Sequence, residues 1–194
     1  MAHLTPLLAF RWSPRAFDPG AELSRDEAAS LLEAARWAPS ADNAQPWRFA
    51  VGHREDETWK RILVNVPEED QRWAHRAAVL LLAAHVTAPA VGTPGVDGTA
   101  GRHPGPDSRA AYDLGQAVAH LTVQATALGL HVRQLLEIDR AGLTTDLDLP
   151  PDVRPYAVVA VGQLGDPLSL PADLLAAETA LRRRRPLADL LLTP

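Results

Sequence analysis

The sequence predicts a single domain of mixed α and β structure, and three observations carry that expectation. Capped or periodic helical stretches alternate along the chain with short Val- and Leu-rich runs of strand length, the pattern of helices covering a sheet. No internal repeat and no linker divides the chain. Its 194 residues, 46% of them apolar and 22% charged, suffice for one sizeable core and fall short of two ordinary domains.

Each element has a local cause. A short apolar segment leads into Arg11-Trp12-Ser13-Pro14-Arg15, where Ser13 is placed to cap a helical turn opening at Pro14. Ser24-Arg25-Asp26-Glu27 is a capping box; behind it Ala28, Leu31, Leu32 and Ala35 recur at helical spacing until Pro39 stops the helix. Trp47, Phe49 and Val51 alternate with Arg48 and Ala50, which predicts a strand with one covered face. A shorter helix is expected around Glu55–Leu63, ending before Pro67. The continuous apolar run Ala77–Val86 has the length of a strand, and Pro89 and Gly92 break the chain soon after it.

Residues 91–108, with glycines at 92, 95, 98, 101 and 105, read as a surface loop. Asp107 or Ser108 can cap the longest helix, Arg109–Leu128. Its apolar residues occupy more than one face, so it is expected to be buried on most sides, as a central helix or one shared with a second subunit. Gly129 suits a left-handed terminator. An extended piece and a helix from Asp139 to about Leu147 come next, and Pro155–Gly162 is the clearest strand. From Gly165 onward little periodicity appears before Leu174–Leu181 and the run Arg182-Arg183-Arg184-Arg185. A tail with no evident return to its own core is expected to pack on a partner subunit.

Composition removes several chemistries. The 24 acidic against 19 basic residues, a net charge of −5, argue against a general nucleic-acid binder. With no cysteine, thiolate catalysis, Cys-ligated zinc and Cys-ligated iron–sulfur clusters are excluded. Lys60 is the only lysine, so no phosphate-loop lysine is present. The longest apolar run is too short to span a bilayer, and a soluble, cytoplasmic domain is expected. The scattered histidines form no metal motif, and no nucleophile elbow exists; His85 and His120 read as hydrogen-bonded core or interface histidines.

Two constellations remain. Arg11, Ser13 and Arg15 fall at alternate positions; they make either a solvated basic turn or a receptor for a phosphate dianion. The four-arginine run near the C-terminus has the same two readings. Pro39-Ser40-Ala41-Asp42-Asn43-Ala44-Gln45-Pro46-Trp47 concentrates donors and acceptors in one short loop. It is either an ordinary helix-to-strand connection or a site that hydrogen-bonds the edge of a polar heterocycle and its polyol chain.

Together these segments resemble the FMN-dependent nitroreductase superfamily, nearest its compact members with a short lid. The resemblance lies in Arg11–Phe17, Pro39–Trp47, Ala111–Ala117, Ala127–Val132, Ala160–Gly162 and Arg182–Leu187, which follow the family's order across nearly the whole chain. It implies an α+β fold with a mostly antiparallel central sheet flanked by helices, in an intertwined homodimer whose C-terminal arms (165–194) embrace the partner. It also implies FMN at the subunit interface, with Arg11, Ser13, Arg15, Arg182 and Arg184 on the phosphate. Ser40, Asn43 and Gln45 would be on the ring and ribityl chain, Leu136 and Glu137 near the reactive face, and 91–108 as a variable lid. The implied activity is reduction of bound FMN by NAD(P)H and then of a nitroaromatic, quinone or similar acceptor. No Rossmann glycine motif is present, so the nicotinamide would bind only transiently. Two positions depart from the family's habit: Glu137 stands where a glycine is usual, and Asp70 where an asparagine is. They keep open a flavin-binding store or sensor with little turnover. A dimerisation module whose arginines are merely solvated is the remaining alternative.

Overall fold

The computed structural model describes residues 3–87 and 106–192. Strands β1 (Trp47–His53), β2 (Val79–Val86), β3 (His131–Leu135) and β4 (Val153–Gly162) form one sheet in the order β1-β2-β4-β3, with every neighbouring pair antiparallel. The helices are α1 (Pro6–Ala9), α2 (Arg25–Arg36), α3 (Glu57–Leu63), α4 (Glu68–Ala74), α5 (Pro106–Ala127), α6 (Arg140–Asp146) and α7 (Ala172–Glu178). The fold is α+β, as expected.

β2 and β4 are the central strands and are covered on both faces, which is why Val79–Ala84 and Ala157–Val161 are unbroken apolar runs. Strand alternation divides the interior in two. Val79, Leu81, Ala83, Val159 and Val161 pack with Leu31 of α2 and Leu114 and Leu121 of α5. Leu80, Leu82, Val158 and Ala160 pack on the other face with Trp59 of α3, Trp73 of α4 and Leu143 of α6. β1 is less one-sided than its alternation predicts: Phe49 and Val51 pack into the first core, and Ala50 into the second.

Local signals fix the ends. The Ser24 hydroxyl accepts from Glu27 N at 3.2 Å while the Glu27 carboxylate accepts from Ser24 N at 2.8 Å, completing the capping box. Asp56 and Asp139 cap α3 and α6 in the same manner. Gly129 has φ +73°, the left-handed terminator expected after the long helix. Gly52 is required by closeness: a methyl group there would collide with the backbone of Trp59, where α3 rests on β1.

Several expectations need correction. Arg11–Pro14 form no helical turn, so Ser13 caps nothing; its carbonyl instead accepts from Arg133 Nη1 at 3.0 Å. Helix α4 is an addition that apolar spacing does not reveal, although Pro67 followed by Glu68, Glu69 and Asp70 in the first turn is a recognisable start. Helix α5 begins at Pro106, which puts Asp107 and Ser108 inside its first turn instead of at its cap. Nor is α5 buried on most sides within one chain: Tyr112 is 71% exposed, and Gly115 and Ala119 also face outward. His120 is an exposed helix residue whose Nδ1 lies 2.9 Å from the Gln116 carbonyl. The expected lid, 91–108, lies outside the described residues except for its last three, 106–108, which belong to α5.

The tail departs furthest from expectation. Leu170 is part of the second core, and Arg72 forms a bidentate pair with Asp173 at 2.8 and 2.9 Å. Glu178, only 7% exposed, accepts from Arg15 N at 2.9 Å and from Ala16 N at 3.3 Å. Residues 165–182 therefore return to their own chain through polar contacts, which leave no trace in apolar periodicity. From Thr179 to Leu192 every residue is exposed, Arg182 included.

Two substitutions test these joints. Gly52→Ala should destabilise the protein by about 3 kcal/mol, because the Trp59 backbone cannot move aside cheaply; urea unfolding reads this. Glu178→Ala strands two amides and uncovers nearby arginine charge. It should cost about 2–4 kcal/mol and make the bond after Arg182 a new early site of tryptic cleavage.

Candidate functional site

The two ends of the chain meet at a group of arginines. Arg182 donates from Nη1 to the Arg11 carbonyl and from Nη2 to the Ala9 carbonyl, and its guanidinium lies 6.0 Å from the centre of the Trp12 ring. Burial lowers the Arg11 pKa, and the neighbouring Arg182 and Arg184 guanidiniums lower it further. Three like charges drawn from residues more than 170 positions apart thus share one neighbourhood, which favours any anion that enters it.

A second pair of arginines lies along the same N-terminal segment. Arg133, on β3, stacks 5.2 Å above Trp73 and donates to the Ser13 carbonyl. Burial lowers its pKa, Arg15 adds to that, and Asp70 and Glu178 oppose it. The Nε atoms of both Arg15 and Arg133 are buried without a hydrogen-bond partner. Such orphaned donors are costly, and an anionic oxygen would satisfy them. Asp70 has a structural task here: it accepts from Trp73 Nε1 at 2.9 Å and so holds the indole under Arg133.

The polar loop stands elsewhere. It is anchored to α5, where the buried Asp113 carboxylate accepts from Ala41 N at 3.1 Å. Ser40 Oγ accepts from Gln45 N at 3.0 Å, and the Gln45 side-chain amide donates to Asn43 Oδ1 at 3.1 Å. Asp42, Asn43 and Gln45 have φ of 54°, 55° and 47°, a left-handed conformation that is costly for residues other than glycine. Asp42 and Asn43 are exposed, and Gln45 is half-buried.

Leu136 and Glu137 form the exposed link between β3 and the Asp139 cap of α6. Arg140 Nη2 donates to the Leu136 carbonyl at 3.3 Å.

Within one chain, then, Arg11, Arg182 and Arg184 form one group beside α1, which rests on α5, and Arg15 and the Ser13 carbonyl form another with Arg133 over Trp73. Ser40, Asn43 and Gln45 stand in the loop anchored to α5 at Asp113. No hydrogen bond or ion pair among the described residues links this loop to either group of arginines. Sequence reasoning missed Arg133, Glu178 and Asp113. A cation on a short strand and a lone acid inside an apolar helix are signals for the first and third; nothing local marks the second. Among the described residues no group of His, Asp or Glu is arranged to hold a metal ion, and no helix is long and apolar enough to cross a membrane.

Known proteins share this architecture. A crystal structure described as an oxidoreductase containing FMN is 35% identical, with a TM-score of 0.85; the match covers 98% of this chain and 91% of that one. An uncharacterized 15.4 kDa protein in the ask 5′ region of Mycolicibacterium smegmatis is 33% identical over 151 residues, 73% of this chain and 90% of its own. The oxygen-insensitive NAD(P)H nitroreductase of Salmonella typhimurium is 39% identical over 46 residues, 24% of this chain and 21% of its own. The sequence model of the Nitroreductase family matches residues 8–163, which with this sheet and these helices makes the chain a member of that family.

Proposed function

We propose that the protein is an FMN-dependent oxidoreductase that works as a homodimer. The observation that carries this reading is the convergence of Arg11, Arg182 and Arg184 beside the orphaned Arg15 and Arg133 donors, a fit for a phosphate monoester. The FMN-containing oxidoreductase of the same fold supports the choice of anion.

In this reading Arg11, Arg15 and Arg184 hold the phosphate charge with Ser13, while Arg182 fixes the segment that presents Arg11. Ser40, Asn43 and Gln45 bind the ring and ribityl chain, and the left-handed backbone keeps their polar groups in place before the cofactor arrives. Leu136 and Glu137 border the reactive side of the ring. A carboxylate there disfavours further negative charge on its neighbour and so tunes the cofactor. The chemistry FMN supplies is two-electron transfer from NADH or NADPH to a small acceptor such as a nitroaromatic or quinone.

The exposed outward face of α5 supports a two-chain site. A two-fold axis can bring the loop of one protomer to the arginines of another. The outward face of α5, with Tyr112, Gly115 and Ala119, is then the surface to be covered, and the exposed residues 185–192, beyond the Arg184 that stays beside Arg11, are free to reach across.

The purified protein should carry a flavin spectrum, sediment as a dimer, and bleach when mixed anaerobically with NADH or NADPH. Flavin that stays oxidised for minutes would favour a store or sensor; a colourless protein that gains no colour with FMN would end the reading. Arg11→Ala combined with Arg15→Ala should weaken FMN binding about 100-fold, measured by quenching of flavin fluorescence.

A further inference from the structure

A cavity of about 600 Å³ opens where the end of β2, the start of β4 and the first turns of α5 and α6 meet. It is lined by His85, Ser108, Arg140, Arg154, Pro155 and Tyr156, of which only Arg140, through its bond to the Leu136 carbonyl, touches a residue considered above. Tyr156 reaches this position through a bulge. Ala83 pairs with Ala157 and Ala84 with Pro155, so Tyr156 is the extra residue of β4, which places proline where a regular ladder is already interrupted.

Three cavity groups lack partners. His85 is 4% exposed, its ring lies 5.9 Å from that of Tyr156, and its buried Nδ1 has no hydrogen bond. Arg154 spends one donor on the Pro151 carbonyl at 2.7 Å, and Arg140 one on the Leu136 carbonyl at 3.3 Å. Neither guanidinium pairs with a carboxylate among the described residues, whereas Arg36, Arg61 and Arg72 all do. A guanidinium has five donors, so most of this capacity remains.

We propose that this cavity binds a small organic anion, a carboxylate or phosphate monoester on a planar body. Arg140 and Arg154 take the charged group in bidentate fashion, which guanidinium geometry favours. The Tyr156 ring and Pro155 contact the planar body, and the His85 ring forms part of the cavity wall. The proposal is independent of the flavin reading, because none of the arginines gathered at the N-terminal segment lines the cavity.

The test is isothermal titration of the full chain, saturated with FMN where it binds FMN, using benzoate, phenyl phosphate and the neutral isostere benzamide. At least one anion should bind ten times more tightly than benzamide, and the stronger of the two identifies the carboxylate or the phosphate source. Arg140→Gln combined with Arg154→Gln should reduce that affinity at least tenfold, and Arg154→Gln alone should leave FMN retention unchanged. Each single variant, altered only at an exposed rim position, should show part of the loss. The His85 ring resonances should shift on addition of the bound anion and stay fixed with benzamide. Equal binding of anion and benzamide, absence of anion binding, or an unaltered affinity in the double variant overturns the proposal. Loss of flavin from the Arg154→Gln variant overturns it too, since the cavity would then belong to the cofactor site.

Discussion

The Glu178 carboxylate resting on the amides of Arg15 and Ala16 holds the two ends of the chain together. A carboxylate accepting from successive backbone N–H groups in a buried setting makes strong, short-range bonds that water does not replace. Because it joins residues 163 positions apart in sequence, it closes the chain into a ring around the second core. Four residues further on, Arg182 reaches the carbonyls of Ala9 and Arg11. The arginines at the two termini are therefore neighbours through a polar clasp, with Trp73 and Phe17 stacked 6.1 Å apart beneath it.

The sheet requires two layers of helices. Its central strands are apolar on both faces through most of their length, so helices must cover both. Asp113 shows how the polar loop is tied to one of these layers: a buried acid in the midst of an apolar helix is tolerated because it accepts from the loop backbone.

Much of this architecture is legible in the sequence, because its causes are local. The Ser24–Glu27 box, the left-handed Gly129 and the valine-rich β4 each follow from residues a few positions apart. The candidate residues of both polar groups are also legible, as motifs. What escapes is long-range or polar. The clasp of Glu178 has no period, α4 is too short to show a stripe, and Arg133 reads as an ordinary surface cation until Trp73 is folded beneath it. The tail misleads for the same reason: apolar spacing predicts burial by hydrophobic packing, and residues 172–182 are held mainly by charge and hydrogen bonds.

The bend that carries Ser40 has one occupant without a conformational excuse. Aspartate and asparagine visit left-handed backbone readily, but Gln45 does so at a cost glycine would avoid. The Gln45 side-chain amide bonds both the Asn43 carboxamide oxygen and the Asn43 carbonyl, so the residue that strains the turn also braces it.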